Sequence, residues 1–151
     1  MTTVSNRVAV LHGVNFDVLE RRPAEIYGGL SLAQLEAKIS DWARELGLEP
    51  IYFQTNSEGE FCEYLHRSAD LADAAIVNAG AWTHYSRAIA DALQLTNLPA
   101  VEVHLSAVEQ RDDWRRLSVF DGLVLAKISG KGPDGYREAL ELLARELGAV
   151  S

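Results

Sequence analysis

Cysteine is nearly missing from this chain. The single Cys62 among 151 residues excludes an intrachain disulfide and a cysteine-built metal cage. No apolar run approaches the ~18 residues of a membrane span, and no signal-peptide type of segment opens the sequence. The expectation is therefore a soluble protein of a reduced, cytoplasmic compartment, with no membrane partner. Lysine is scarce, three residues against eleven arginines, and cations are outnumbered 14 to 22, for a formal net charge of −8. That balance argues against a nucleic-acid partner, because phosphate affinity depends on clustered Lys and Arg. The arginine preference suits bidentate recognition of carboxylates and planar stacking. Repeats, linkers and low-complexity stretches are absent as well. What is present, 48% hydrophobic and 24% charged residues, is the composition of a globular domain able to bury a core. We expect a single domain over residues 1–151.

Short apolar runs alternate with amphipathic ones. Val8–Leu11 reads as a buried strand, followed by some sixteen residues from Gly13 with neither a helical nor a strand pattern. Ser31 then caps a helix with Leu32, Leu35, Ile39, Trp42 and Leu46 on one face, closed by Gly47. Pro50–Gln54 is a second strand, and Ser57 with Glu60 forms a capping box for a helix to about Ala69. Ala74–Asn78 is a third strand, and Thr83 is positioned to cap a helix to about Leu95. Ala100–His104 is a fourth strand, followed by a short charged helix over about Ala107–Leu117. Leu123–Ile128 is a fifth strand, and Pro133 opens a last helix with Tyr136, Leu140, Leu143 and Leu147 on its face. Five alternations with apolar strands that lack a polar alternate face predict an α/β fold of three layers around a five-stranded parallel sheet.

Chemistry collects where the strands end. His12 and Asn15 follow the first strand, Gln54, Asn56 and Glu58 the second, Asn78, Gly80 and His84 the third, and Glu102, His104 and Ser106 the fourth. Parallel strands bring all these ends to one edge of the sheet, where ligands of open α/β folds sit. Glu102 and His104 stand two apart and so share a face, where a carboxylate raises an imidazole's pKa and orients it as a general acid. The long opening segment carries Arg21, Arg22 and Tyr27, and long patternless loops are commonly lids or binding elements. A phenol with a pKa of ~10 needs roughly 3 units of lowering to act as a base near neutrality, and a guanidinium beside it supplies roughly 1–3. Arg22 is the expected neighbour. On spacing alone the alternative, that Tyr27 packs and the arginines are solvated, stays open. Cys62 reads as a core filler and His66 as a surface residue. Gly130–Gly135 matches G-x-G-x-x-G but lacks the following strand and acidic residue of a dinucleotide site. His12, His84 and His104 have no metal-ligand spacing with one another, so no metal site is expected.

Four ordered segments carry a resemblance. HGVNFDVLERRPAEIYGG, FQTNSEGEFCEYLH, NAGAWTHYSRAIADAL and VEVHLSAVEQRDDWRRLS resemble, in order, N-G-P-N-L-N-x-L-G…R…Y-G, F-Q-S-N-x-E-G-x-L-I-x-x-I-H, N-P-G-A-Y-T-H-T-S…D-A-L and E-V-H-L-S-N…R-E-x-F-R…S of the type II 3-dehydroquinate dehydratases. The resemblance implies a flavodoxin-like fold and removal of water from 3-dehydroquinate, a small-molecule substrate, through an enolate, without metal or organic cofactor. It implies Tyr27 as base, Arg22 as the cation beside it, His104 as acid held by Glu102, and Asn15 positioning a water at the enolate. Asn78, His84, Leu105 through its backbone, Ser106 and Arg115 would bind substrate. Arg111 would belong with Arg22 and Tyr27 to a lid, and Asp91 would reach a neighbouring subunit's site in a dodecamer built from trimers. The opening loop departs from the pattern at His12, Val14, Phe16, Asp17 and Glu20, and the acidic pair would weaken anion binding if turned inward. Three other readings stand beside this one. They are a divergent homologue acting on a related cyclic polyol ketoacid, a non-catalytic binding or assembly protein on the same fold, and a flavin-binding module, the last lacking a Ser/Thr-rich phosphate cradle.

Overall fold

Alternate residues of the apolar runs within Arg7–His12, Ala74–Asn78 and Ala100–His104 are buried on opposite sides, so these strands are wrapped on both faces. The computed structural model describes residues 5–150, so the two ends of the expected domain lie outside the described residues. The strands are β1 (Arg7–His12), β2 (Glu49–Gln54), β3 (Ala74–Asn78), β4 (Ala100–His104) and β5 (Ala126–Ser129). All pair in parallel, in the spatial order β2-β1-β3-β4-β5. That is the doubly wound, flavodoxin-like order. The helices are α1 (Ala24–Tyr27, a single turn), α2 (Leu32–Glu45), α3 (Glu58–Leu71), α4 (Arg87–Thr96) and α5 (Asp134–Glu146). Val8 and Val10 meet Leu35 and Ile39 of α2 and Leu140 and Leu143 of α5. Ala9 and Leu11 meet Phe61 and Leu65 of α3 and Ile89 and Leu93 of α4. The result is three layers. The register sets His12 level with Gln54 on one side and Asn78 on the other, so three polar side chains line up at the carboxyl edge.

Local chemistry departs from the sequence expectations at five places. The opening segment is not structureless: Phe16–Arg21 forms a 3-10 turn and α1 follows, because Phe16 and Leu19, three apart, bury together on the core. Asn15 enters that turn at φ 73°, a left-handed conformation that asparagine tolerates. Thr83 does not cap α4. It lies inside a 3-10 turn, Gly80–His84, and Ser86 caps instead, its Oγ accepting from Ile89 N at 3.2 Å. The capping box at Ser57 is half made: Ser57 Oγ accepts from Glu60 N, but the Glu60 carboxylate takes the Thr55 hydroxyl at 2.7 Å. The charged helix over Ala107–Leu117 resolves into two 3-10 turns, Val108–Gln110 and Asp113–Arg116, since between them Arg111 is extended and the stretch has no apolar stripe to bury. The fifth strand begins at Ala126 rather than Leu123, because Gly122 at φ 85° turns the chain and Leu123–Leu125 completes that turn before pairing starts.

Candidate active site

The strand ends and the opening segment enclose one cleft. Asn15, Arg22 and Tyr27 line it from the lid, Asn78 and His84 from the end of β3, His104, Leu105 and Ser106 from the end of β4, and Arg111, Trp114 and Arg115 from the loop beyond. Of the residues expected in the site, Glu102 lies just beneath, supporting His104, and Asp91 is not brought in. Asp91 is exposed on α4, outside the residues lining the cleft.

Glu102 and His104 share a face, as their spacing requires. The imidazole Nε2 lies 2.5 Å from Glu102 Oε2, both residues buried, which leaves Nδ1 to serve the cleft. The carboxylate is also anchored from behind: Ser118 Oγ stands 2.8 and 2.9 Å from its two oxygens and donates to them. A fully buried carboxylate without such donors would be costly. His84 is oriented comparably. Its Nδ1 donates to the Leu117 carbonyl at 2.7 Å, leaving Nε2 free to accept, and its ring lies 6.3 Å from that of His104. Burial lowers the His84 pKa, which keeps the ring neutral.

Tyr27 has a different partner from the one its sequence neighbourhood indicates. Arg22 does not reach the phenol oxygen; its guanidinium carbon stands 5.5 Å from the ring centroid, over the ring. Arg111 is the donor, with Nη1 2.6 Å from the Tyr27 hydroxyl and 3.5 Å from Ser106 Oγ. Its own guanidinium carbon is also 5.5 Å from the ring centroid. Two cations therefore flank one ring, and a charge-assisted bond ties the lid to the end of β4. Five residues separate Arg22 from Tyr27, but that segment turns through α1, which carries the phenol toward the Arg111 loop.

The base of the lid is pinned by Asn56. Its Oδ1 accepts from Asn15 N at 2.8 Å and from Gln54 Nε2 at 3.2 Å, and its Nδ2 donates to Asp17 Oδ2 at 3.0 Å. Asp17 thus turns to Asn56, just beyond β2, and neither it nor the exposed Glu20 lines the cleft. Arg115 is held by a short ion pair to Asp112, and its guanidinium stacks 4.0 Å from the Trp114 ring centroid. Trp114 in turn meets His84 edge-on at 5.2 Å. Sequence reasoning missed Trp114 and Ser118 as site components, and it placed Asn56 at a strand end without giving it a role. Ser118 and Trp114 fall on the S and F positions of the motif quoted above, which was the available signal. Among the described residues no group of three His, Cys, Asp or Glu is arranged to hold a metal, and no helix is long and apolar enough to cross a membrane.

Comparison with known proteins agrees in sequence and in shape. The family model for dehydroquinase class II matches residues 6–144. A 3-dehydroquinate dehydratase from Syntrophotalea carbinolica is 45% identical over 135 residues, covering 89% of this chain and 91% of that protein. A 3-dehydroquinate dehydratase from Pelobacter propionicus is 44% identical over 142 residues, 93% of this chain and 95% of its own length. The crystal structure of a type II dehydroquinase from Propionibacterium acnes superposes with a TM-score of 0.88 at 38% identity, covering 95% of this chain and 99% of that one.

Proposed function

The chain belongs to the class II dehydroquinase family, and from that premise we propose how it takes water from 3-dehydroquinate. Tyr27 removes the proton α to the ketone, so a C–H bond breaks and its electrons pass into an enolate. His104 gives a proton to the β-hydroxyl, the C–O bond breaks, water leaves and the conjugated enone forms. The two protons exchanged in the step are reset through solvent. Arg111, already on the phenol oxygen, bonds it more strongly when that oxygen is charged. Glu102 and Ser118 hold His104 with Nδ1 toward the substrate. Asn15 positions a water at the enolate oxygen. Asn78, His84, the Leu105–Ser106 backbone, Ser106 and Arg115 bind the carboxylate and hydroxyls. An anti elimination needs base and acid on opposite faces of the ring, and the lid and the sheet edge supply one each.

The observation that supports this reading is that Tyr27 and His104, 77 positions apart in the numbering, line the same cleft with a guanidinium on one and a carboxylate on the other. The test follows product by the ultraviolet absorbance of the enone when 3-dehydroquinate is added. The parent should turn over, and Tyr27→Phe should lose about 10²–10⁴ in kcat while still binding substrate. A phenylalanine variant within a few-fold of the parent would remove Tyr27 from the role of base. We further place the protein in the cytoplasm as an assembly of twelve, four trimers, with Asp91 completing a neighbour's site. Asp91 is exposed on α4, Leu95 one turn on is 67% exposed, and Tyr85 just before the helix is 60% exposed, large apolar side chains that a second copy would cover. A light-scattering mass decides it. The same chemistry serves biosynthetic and degradative flux through the shikimate and quinate routes.

A further inference from the structure

Beneath the cleft lies a buried polar chain that the elimination itself does not use. His12, at the end of β1, is wholly buried, and its Nε2 is 2.8 Å from the hydroxyl of Tyr136 on α5. Tyr136 is buried as deeply, and the same hydroxyl accepts from Asn78 Nδ2 at 3.0 Å. Asn78 is the member of this chain that lines the cleft. A hydroxyl has one proton to give. If Tyr136 donates to His12 Nε2, every atom of the chain is served except His12 Nδ1, which has no partner. If instead His12 donated through Nε2, the hydroxyl proton would also be stranded in the interior, so the first arrangement leaves fewer buried polar groups unpaired. Burial keeps the ring neutral, desolvation pushing the His12 pKa down to about 3, so only one of its two nitrogens carries a proton, and in the first arrangement that nitrogen is Nδ1.

We propose that Tyr136, with its proton committed to His12, is a positioning residue that fixes which way round the Asn78 amide meets the substrate. The phenol oxygen is then an acceptor toward Asn78 and demands the Nδ2 end. The other end agrees, since Asn78 Oδ1 faces the Gly80 N–H at 3.4 Å. One amide N–H and one carbonyl lone pair remain uncommitted. A ligand hydroxyl, which donates and accepts, satisfies both; a position bearing only hydrogen or an ether satisfies neither or one. The selected class is a ring carrying a hydroxyl against Asn78, and the proposal rests on the dehydratase reading for the identity of that ring but not for the amide's orientation.

A double-mutant cycle on kcat/KM tests it, with the parent, Tyr136→Phe, Asn78→Ala and the double variant. Tyr136→Phe should lose about 10- to 100-fold alone and nothing further once Asn78 is alanine, whereas it should still lower thermal stability in the alanine background through the lost His12 bond, by less than in the parent, where the Asn78 bond is lost as well. An equal loss of kcat/KM in both backgrounds overturns the proposal. His12→Leu, which keeps the phenol and removes its acceptor, is the second variant and covers a Tyr136→Phe that fails to fold. It frees the Tyr136 proton to compete for the Asn78 carbonyl. In ¹⁵N-labelled protein the side-chain amide signal of Asn78 should shift and its protons exchange faster in His12→Leu; an unchanged signal overturns the relay. That readout needs no turnover, so a parent inert toward 3-dehydroquinate would sink the reaction while the amide signal still decides the relay.

Discussion

Replacing Glu102 by glutamine keeps the size of a fully buried side chain and removes its charge. The carboxylate now receives the Ser118 hydroxyl across both oxygens and the His104 ring at 2.5 Å. An amide offers one acceptor and one donor end to those same two partners, and since the Ser118 hydroxyl can accept as well as donate, what matters is which end meets His104. If the carbonyl end stays on His104, the ring keeps its orientation but its positive form loses the adjacent countercharge. If the NH₂ end turns to His104, Nε2 must accept and the ring proton moves to the other nitrogen. Breaking one side of such a buried, hydrogen-bonded pair costs the fold about 3–5 kcal/mol. In kcat the expected loss is about 10²–10⁴, the factor that general acid catalysis supplies. KM should barely move, because Glu102 is covered and does not line the cleft. The measurement is initial rate by enone absorbance at saturating 3-dehydroquinate, with circular dichroism to establish that the variant is folded. Ser118→Ala should go the same way by a smaller step of about 1–3 kcal/mol. A folded Glu102→Gln enzyme whose kcat lies within about fivefold of the parent would show that this carboxylate does not act through His104.

Two further outcomes concern the scaffold. Gly13→Ala should destabilise the fold by about 2–4 kcal/mol, from overpacking and a strained β1–β3 hydrogen bond, and lower kcat with it. A Cβ there would sit 2.3 Å from the Ala79 carbonyl oxygen, while Gly13 N bonds Asn78 O at 2.9 Å, so the clash pushes apart the two strand ends that carry Asn15 and Asn78. A denaturant midpoint equal to the parent's would refute it. Acid should weaken the protein through His12. The unfolded chain binds a proton there below pH ~6.5, and the folded chain only near its pKa of about 3. Between those values unfolding takes up a proton, so stability is lost as pH falls, by about 1.4 kcal/mol per unit. Urea titrations from pH 7 to 4 should show a shallower acid limb in His12→Leu, and parallel limbs in the two proteins would count against a neutral buried imidazole.

What was legible in the sequence is what depends on near neighbours. Leu35 and Ile39 mark a helix face at four-residue spacing, and Glu102 with His104 mark a strand face at two, so these elements and that pair were readable directly. The parts that were not legible join residues far apart. Ser118 reaches Glu102 across 16 positions, Arg111 reaches Tyr27 across 84, and His12 reaches Tyr136 across 124. Tyr136 read as one more apolar face residue of the last helix because its ring does pack there; only its hydroxyl has another task. Arg22 was assigned to the phenol because it is close in sequence, and a single helical turn was enough to give that oxygen to Arg111. The charged stretch after β4 misled for the opposite reason: Asp and Arg at helical spacing pair locally, as Arg115 does with Asp112, without building a helix.

The base and the acid proposed above are rooted in different parts of the molecule. Tyr27 rides on a segment fastened at its foot by Asn56 and at its tip by Arg111, while His104 is set in the sheet with Glu102 behind it. Any excursion of residues 14–29 that leaves the strands in place therefore takes away one half of the reaction and keeps the other. A pocket with that segment displaced would keep the proposed acid and lack the proposed base. Timing, on this arrangement, is written into where the two groups are anchored.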